Sequence, residues 1–473
     1  MNILNLIPVL LPMAAGACLL WRRVKNCDTV SFLAAVLTGL SLLLLPSAGA
    51  FRMVFTGKLT LLLQADKLSY FFLILIAVGF AAAILYAREY LAGDAKRWKF
   101  FGFTLLTLGA MMGLAMAGNI ITFYMFYEMM TLLSFPLVMY GGDERSRKAA
   151  LSYLGFSVFG ASLALMGMLL GRQLSLRPFS EPIGTVTLGI KSQVGYLLMA
   201  LGFSCKAGMM PLSNWLPTAH PVAPAPASAL LSGIITKAGI LGMIRATFFL
   251  FGGANLSGSF AQTVLLVLAI VTIFGGSMLA YKEKHLKKRL AYSSVSQLSY
   301  VIFGIALMSP LGLEGALLQV VFHACAKVGL FLCAGAFIHH CEVNFVDEMR
   351  GIGRRMPLVL GAFTCFSLSL IGIPPFGGFI SKWELASAAL TQGSILARIG
   401  VVVLMVSALL TAGYLLPVIA RGFFPGEEYK AKKTDCGAAM AVPLLLLAAL
   451  AAVLGLMPGG LVSFFRSITA ALI

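Results

Sequence analysis

Apolar runs separated by short polar breaks set the rhythm of this chain. They are roughly 18–24 residues long, the length a helix needs to cross a bilayer. The runs fall at 3–21, 29–47, 68–87, 100–117, 119–140, 149–170, 193–214, 225–249, 262–281, 291–309, 313–338, 358–385, 397–420 and 440–457. They lack the half-polar alternation of barrel strands, and in lipid a helix satisfies its own backbone. The pattern therefore predicts an all-α polytopic membrane protein with about 14 transmembrane helices. The opening "MNILNLIPVLLPMAAGACLLWRR" has no basic residue ahead of its apolar run. It reads as a first spanning helix, not a cleaved signal peptide. The tail "LVSFFRSITAALI" after Pro458 is expected to lie at the membrane interface.

Composition agrees with that picture. Of 473 residues, 60% are hydrophobic and only 11% are charged, against about 25% charged in soluble domains. The eight cysteines form no CxxC pair, and neither GxGxxG after a strand nor GxxxxGK[ST] occurs. No metal, redox centre or cofactor is expected in this chain, and no nucleic-acid partner. An even helix count puts both termini on one side. The loops opposite the termini hold 22 Lys and Arg, densest in "YKEKHLKKRL", and the termini side holds nine. Positive charge accumulates on the cytoplasmic side. Both termini are therefore expected outside, with the chain in the inner (cytoplasmic) membrane.

Four basic residues remain, Lys206, Lys237, Lys327 and Lys382, and all fall inside predicted helices. An ammonium at the bilayer centre costs at least about 2.5–3.5 kcal/mol, so such residues mark ion routes by default. Snorkelling from a helix end is the plain alternative for Lys382, but not for Lys327 deep in "VVFHACAKVGLFLCAG". Glu128 in "ITFYMFYEMMTLLSFPLVMYGG" is the carboxylate placed well inside a helix; it either ties helices together or shares a proton with a lysine. His323 lies one turn before Lys327 and projects on the same face, a pair suited to relaying a proton. No second histidine or carboxylate stands at ligand spacing there, which argues against a metal. His220, in "PTAHPVAPAPAS", is either a path entrance or a loop residue.

Two segments carry helix breakers: Pro211 and Pro217 in the seventh, Pro374 and Pro375 in the twelfth. Freed carbonyls are tolerated at membrane depth only where protein or water meets them, and duplicated transporters place ion sites at such breaks. The five-helix spacing between breaks divides the chain into N-terminal helices 1–3 (1–99), a first five-helix repeat of helices 4–8 (100–249), a second of helices 9–13 (250–421), and a fourteenth helix with the tail (422–473).

The segments "FYEMMTLLSFPLV", "WLPTAHPVAPAPASALLSGIITKAG", "KKRLAYSSVSQLSY" and "IGIPPFGGFISKWEL", in that order, give the chain a family resemblance. It resembles the antiporter-like, ion-translocating membrane subunits shared by respiratory complex I, membrane-bound energy-converting hydrogenases and multisubunit Na+/H+ antiporters. The resemblance implies two inverted five-helix repeats around a hydrated polar axis along the membrane midplane. It implies that Glu128 pairs with Lys206, that Lys237 connects, that His323 and Lys327 form the central relay, and that Lys382 is the exit-side group. It also implies other membrane subunits as partners, with any redox chemistry in a peripheral module. One complex I branch has glutamate where Lys382 stands, and others extend into a long lateral helix. Lys382 and the short C-terminal end therefore suit a hydrogenase-type or multisubunit-antiporter member.

Burial favours the neutral form of an amine, and a nearby carboxylate favours the charged form. Withdrawing Glu128 from Lys206 would thus send a proton through Lys237, His323 and Lys327 toward Lys382. Three readings stay open in sequence: a proton-translocating subunit of a redox-driven complex, the large subunit of a Na+/H+ antiporter without a redox module, and a membrane scaffold. A reporter fused after residue 473 is expected to register as extracytoplasmic, and one in the 282–289 loop as cytoplasmic. The reverse at either site would contradict the orientation.

Overall fold

The structure is a computed structural model describing residues 2–47, 49–56, 59–171, 177–181, 183–426 and 434–470. Lys58, Arg172 and the lysines of 427–433, all part of the charge count, lie outside the described residues. The helices run α1 (Ile7–Arg22), α2 (Cys27–Ser41), α3 (Lys67–Tyr90), α4 (Arg97–Ala115), α5 (Ile120–Val138) and α6 (Glu144–Leu170). The seventh segment is two pieces, α7a (Ile190–Ala207) and α7b (Trp215–Val222). Then come α8 (Ala225–Phe251), α9 (Phe260–Lys282), α10 (Leu286–Ala306) and α11 (Pro310–Cys341). The twelfth is again two pieces, α12a (Pro357–Ile371) and α12b (Gly377–Gln392). The chain closes with α13 (Ile395–Phe423), α14 (Ala438–Leu456) and α15 (Gly459–Thr469).

Among the described residues, eleven helices are long and apolar enough to cross a membrane. The expected segments outside that set are 193–214, 291–309 and 358–385. Their shortfall has a physical cause. α7a carries Lys191, Gln193 and Lys206 within 18 residues, α12 is broken, and α10 carries Lys287, Lys288, Arg289, Gln297 and six serines or tyrosines in "AYSSVSQLSY". A helix enclosed by other helices meets no lipid and need not be apolar all round. Nearly every residue of α10 is buried.

A feature not expected from sequence is a short antiparallel hairpin, β1 (Phe51–Thr56) with β2 (Leu59–Leu63), between α2 and α3. It docks on the start of α5, where the Thr122 hydroxyl accepts the Leu62 amide at 2.8 Å. The tail is helical, as α15, and is pinned through Phe465, whose ring meets Phe71 edge-on at 4.9 Å.

The interior is built around α8 and α11, whose most apolar windows are 100% and 94% buried, against 33% for peripheral α13. Small residues let the breaks close on their neighbours. A methyl at Gly239 of α8 would sit 2.3 Å from the Phe203 carbonyl of α7a, and one at Gly378 of α12b 1.8 Å from the Ser369 carbonyl of α12a. Pro211 lies between α7a and α7b, and Pro374 and Pro375 lie between α12a and α12b, as expected of breakers. Pro217 does not break a helix. It sits in the first turn of α7b, where a missing amide costs nothing.

Candidate functional site

Lys206, Lys237 and Lys327 are buried and Lys382 is half-buried, and each has found a neutral partner. Lys206, near the end of α7a, donates to the hydroxyls of Thr131 (2.9 Å), Tyr153 (3.0 Å) and Ser157 (2.9 Å). An ammonium has three protons, so the cage is complete. The Tyr153 ring adds its face at 4.4 Å. Glu128 is half-buried, and Tyr124 and Lys206 are the groups that act on its carboxylate. None of the ion pairs among the described residues joins it to Lys206. The two implied as a pair by resemblance are electrostatic neighbours without a direct ion pair.

Lys237 and His323 are brought together. The Lys237 Nζ lies 2.8 Å from His323 Nδ1, although the residues are 86 apart in sequence. The same amine donates to the Ser232 carbonyl at 2.8 Å, within a π-helical turn of α8 (Leu231–Ile235). Such turns widen a helix locally and recur at functional sites. Lys327 does not bond His323 one turn away; it reaches across to the Leu290 carbonyl of α10, at 2.8 Å. His323 Nε2 and the Tyr127 hydroxyl are buried with no protein partner, positions that water commonly fills.

Lys382 explains the second break. Its Nζ donates to the Leu370 (2.8 Å) and Ile371 (2.5 Å) carbonyls, the last of α12a. A helix C-terminus presents unpaired carbonyls and a partial negative charge, a natural seat for an ammonium. Lys382 does not snorkel.

The transmembrane family model described as "NADH:quinone oxidoreductase/Mrp antiporter" matches residues 117–411, the stretch that holds all these groups. The chain belongs to this family. Among its relatives, an NADH-quinone oxidoreductase subunit of Desulforudis audaxviator is 33% identical over 413 residues, covering 83% of this chain and 81% of that protein. A hydrogenase-4 component of Escherichia coli is 32% identical over 84% of this chain and 62% of its own length. A Na(+)/H(+) antiporter subunit of Alkalihalophilus pseudofirmus is 26% identical, over 84% of this chain and 80% of its own. In fold, the chain matches a chain of the Mrp complex from Dietzia sp. with a TM-score of 0.86, 24% identity and coverage of 100% and 98%. A chain of Thermus thermophilus respiratory complex I matches with a TM-score of 0.85, 25% identity and coverage of 99% and 98%. The protein is thus a multi-pass, antiporter-like membrane subunit of this family.

Several ionisable residues escape the sequence reading of this family member. Arg245, counted there among the loop cations, is buried in α8 and forms a two-pronged pair with Asp66 at 2.5 and 2.8 Å. Burial pushes the Asp66 carboxyl up, but Arg245 and the Ser69 amide more than reverse this, leaving it below the usual range. Lys287 and Arg289, counted with the cytoplasmic loop, are also buried. They donate to backbone carbonyls of Ala223 (2.6 Å) and Tyr414 (2.8 Å). Glu314, 2% exposed, shows that Glu128 is not alone inside the helices; it pairs with Arg466 of α15 at 3.2 Å. His220 is a buried helical residue of α7b stacked on Phe331 at 4.5 Å, not a loop residue. For Arg245 a signal existed: five of the six residues that follow it in "RATFFLF" are apolar. For Lys287 and Arg289, a basic cluster at a helix start hides which members turn inward.

The 2.8 Å contact makes Lys237 and His323 one unit, and contacting residues couple by about 0.5–3 kcal/mol. In translocation assays, Lys237→Met combined with His323→Ala is expected to be no worse than the more severe single variant. Multiplying losses would show that the two act separately.

Proposed function

We propose that this subunit moves protons across the membrane through Lys206, Lys237, His323, Lys327 and Lys382, gated by Glu128, within a multisubunit complex driven by redox chemistry. The observation that carries the reading is a contrast between two kinds of buried cation. Buried Arg245 is matched by the Asp66 carboxylate, and in the Arg466–Glu314 pair it is the carboxylate that is buried. The four lysines rest on hydroxyls, carbonyls and an imidazole. A fixed structural charge in a low-dielectric interior wants a counter-charge. An amine held by neutral groups loses little when it gives up its proton. The four lysines have no such counter-charge and are suited to changing charge; Arg289 also rests on backbone carbonyls, but a guanidinium keeps its proton at any working pH.

The breaks support the two-repeat organisation and fourteen crossings. α7a/α7b and α12a/α12b stand five helices apart, each beside one of the four lysines. The loop charges favour termini outside the inner membrane. A redox-driven assembly is favoured by the two relatives above 30% identity, one an NADH-quinone oxidoreductase subunit and one a hydrogenase component. Other membrane subunits are its partners, with the redox module peripheral to this chain. The second reading, a Na+/H+ antiporter subunit without a redox module, draws on the 26% relative. Sodium prefers several oxygen ligands, and the hydroxyls and carbonyls along this row are bonded to lysine amines in this structure.

Lys327→Ala is expected to stop proton translocation in vesicles while the complex still assembles, because losing a buried unpaired charge costs little stability. Normal pumping by an assembled Lys327→Ala complex would overturn the relay. Co-purifying iron–sulfur subunits supports the redox assembly; small hydrophobic subunits alone support the antiporter.

A further inference from the structure

The route from the central relay to Lys382 is not continuous. Between them lie two buried amides, Gln319 of α11 and Gln297 of α10, 2% and 0% exposed. Gln319 stands one turn before His323, so Gln319, His323 and Lys327 share one face of α11. Ser381, the residue before Lys382, donates its hydroxyl to Gln319 Oε1 at 2.6 Å. Gln319 Nε2 donates to Gln297 Oε1 at 2.8 Å, and Gln297 Nε2 reaches the Thr411 hydroxyl of α13 at 3.5 Å. Thr411 in turn donates to the Ser407 carbonyl at 2.8 Å. Every donor in this row points the same way, from α12b toward α13.

A primary amide donates through its nitrogen and accepts through its oxygen, and it neither takes up nor releases a proton near neutral pH. An amide pair is therefore a poor link in a proton relay and a good mechanical tie. Its Ser381 bond fixes α12b against α11, and α12b carries the lysine seated on the α12a carbonyls.

We propose that Gln297 and Gln319 form an amide latch between the central relay and the broken twelfth helix, holding Lys382 in its seat and interrupting proton passage until it opens. The inference rests on the proton-relay reading above and assigns both glutamines as positioning residues. Opening the latch frees Ser381 and lets α12b carry Lys382 toward the relay. Closing it returns Lys382 to the Leu370 and Ile371 carbonyls. The latch separates loading of the relay from release at Lys382, which one-way movement requires.

The test uses the whole complex in vesicles, with assembly verified. Gln319→Met keeps the length of the side chain and removes both bonds. It is expected to lower net translocation about tenfold, as coupled contacts in one network do. Gln319→Glu keeps an acceptor for Ser381 and inserts a titratable group among His323 and Lys327 on α11, Lys382 on α12b, Tyr300 on α10 and Tyr414 on α13. It is expected to translocate better than Gln319→Met and to add an ionisation to the pH profile, which a purely structural glutamine would not do. Wild-type rates in Gln319→Met, or a wild-type pH profile in Gln319→Glu, would overturn the latch. If Gln319→Met does not assemble, the Gln319→Glu profile decides. Lys327→Ala in the same preparation separates the two ideas: normal translocation there removes the relay itself. Blocked translocation there, with both glutamine variants unaffected, removes only the latch.

Discussion

The cost of placing an ammonium at membrane depth without a counter-ion governs this structure. Every buried lysine must be met by enough neutral dipoles to exist at all, and the proposed relay adds that no excess of negative charge may hold its proton permanently. The protein meets that condition in different ways. Lys206 takes three hydroxyls from α5 and α6. Lys237 takes a carbonyl from a π-helical turn and a nitrogen from His323. Lys327 and Lys382 take backbone carbonyls, one from α10 and two from a helix end.

The broken helices follow from the same constraint. An unbroken helix uses up its carbonyls internally, whereas a helix that stops leaves its last ones open. Stopping α12a at Ile371 supplies the seat of Lys382, and the glycines after Pro375 let α12b begin against it. α10 falls short as an apolar span because it is enclosed, and α12 because it is broken. Where the protein needs permanent charge it uses another solution, guanidinium with carboxylate, as in Arg245 with Asp66.

Much of this was legible in the chain. A lysine in "FHACAKVGLF" cannot be a surface residue, so Lys327 and its neighbour His323 announce themselves, and proline with glycine beside Lys382 announces a break. Partners were not legible. Nothing local joins Lys237 to His323, or Gln319 to Ser381, because those contacts depend on how α8, α11 and α12b pack. Thr131 and Ser157, which cage Lys206 with Tyr153, look like any small residues at helix contacts. Arg245, Lys287 and Arg289 read as loop charges because apolar runs mark where a helix is, not which way its terminal side chains turn. The hairpin at 51–63 was hidden by its shortness between two long helices.

The central claim is that Lys206 changes charge in response to Glu128, although no direct ion pair joins the two in this state. The most direct test is a double-mutant cycle on proton translocation by the assembled complex in proteoliposomes. Glu128→Gln and Lys206→Met are each expected to remove most of the activity, and the double variant to be no worse than the more severe single one, as for residues acting as a unit. If the two losses multiply, Glu128 and Lys206 act independently, and the gate lies elsewhere in the chain.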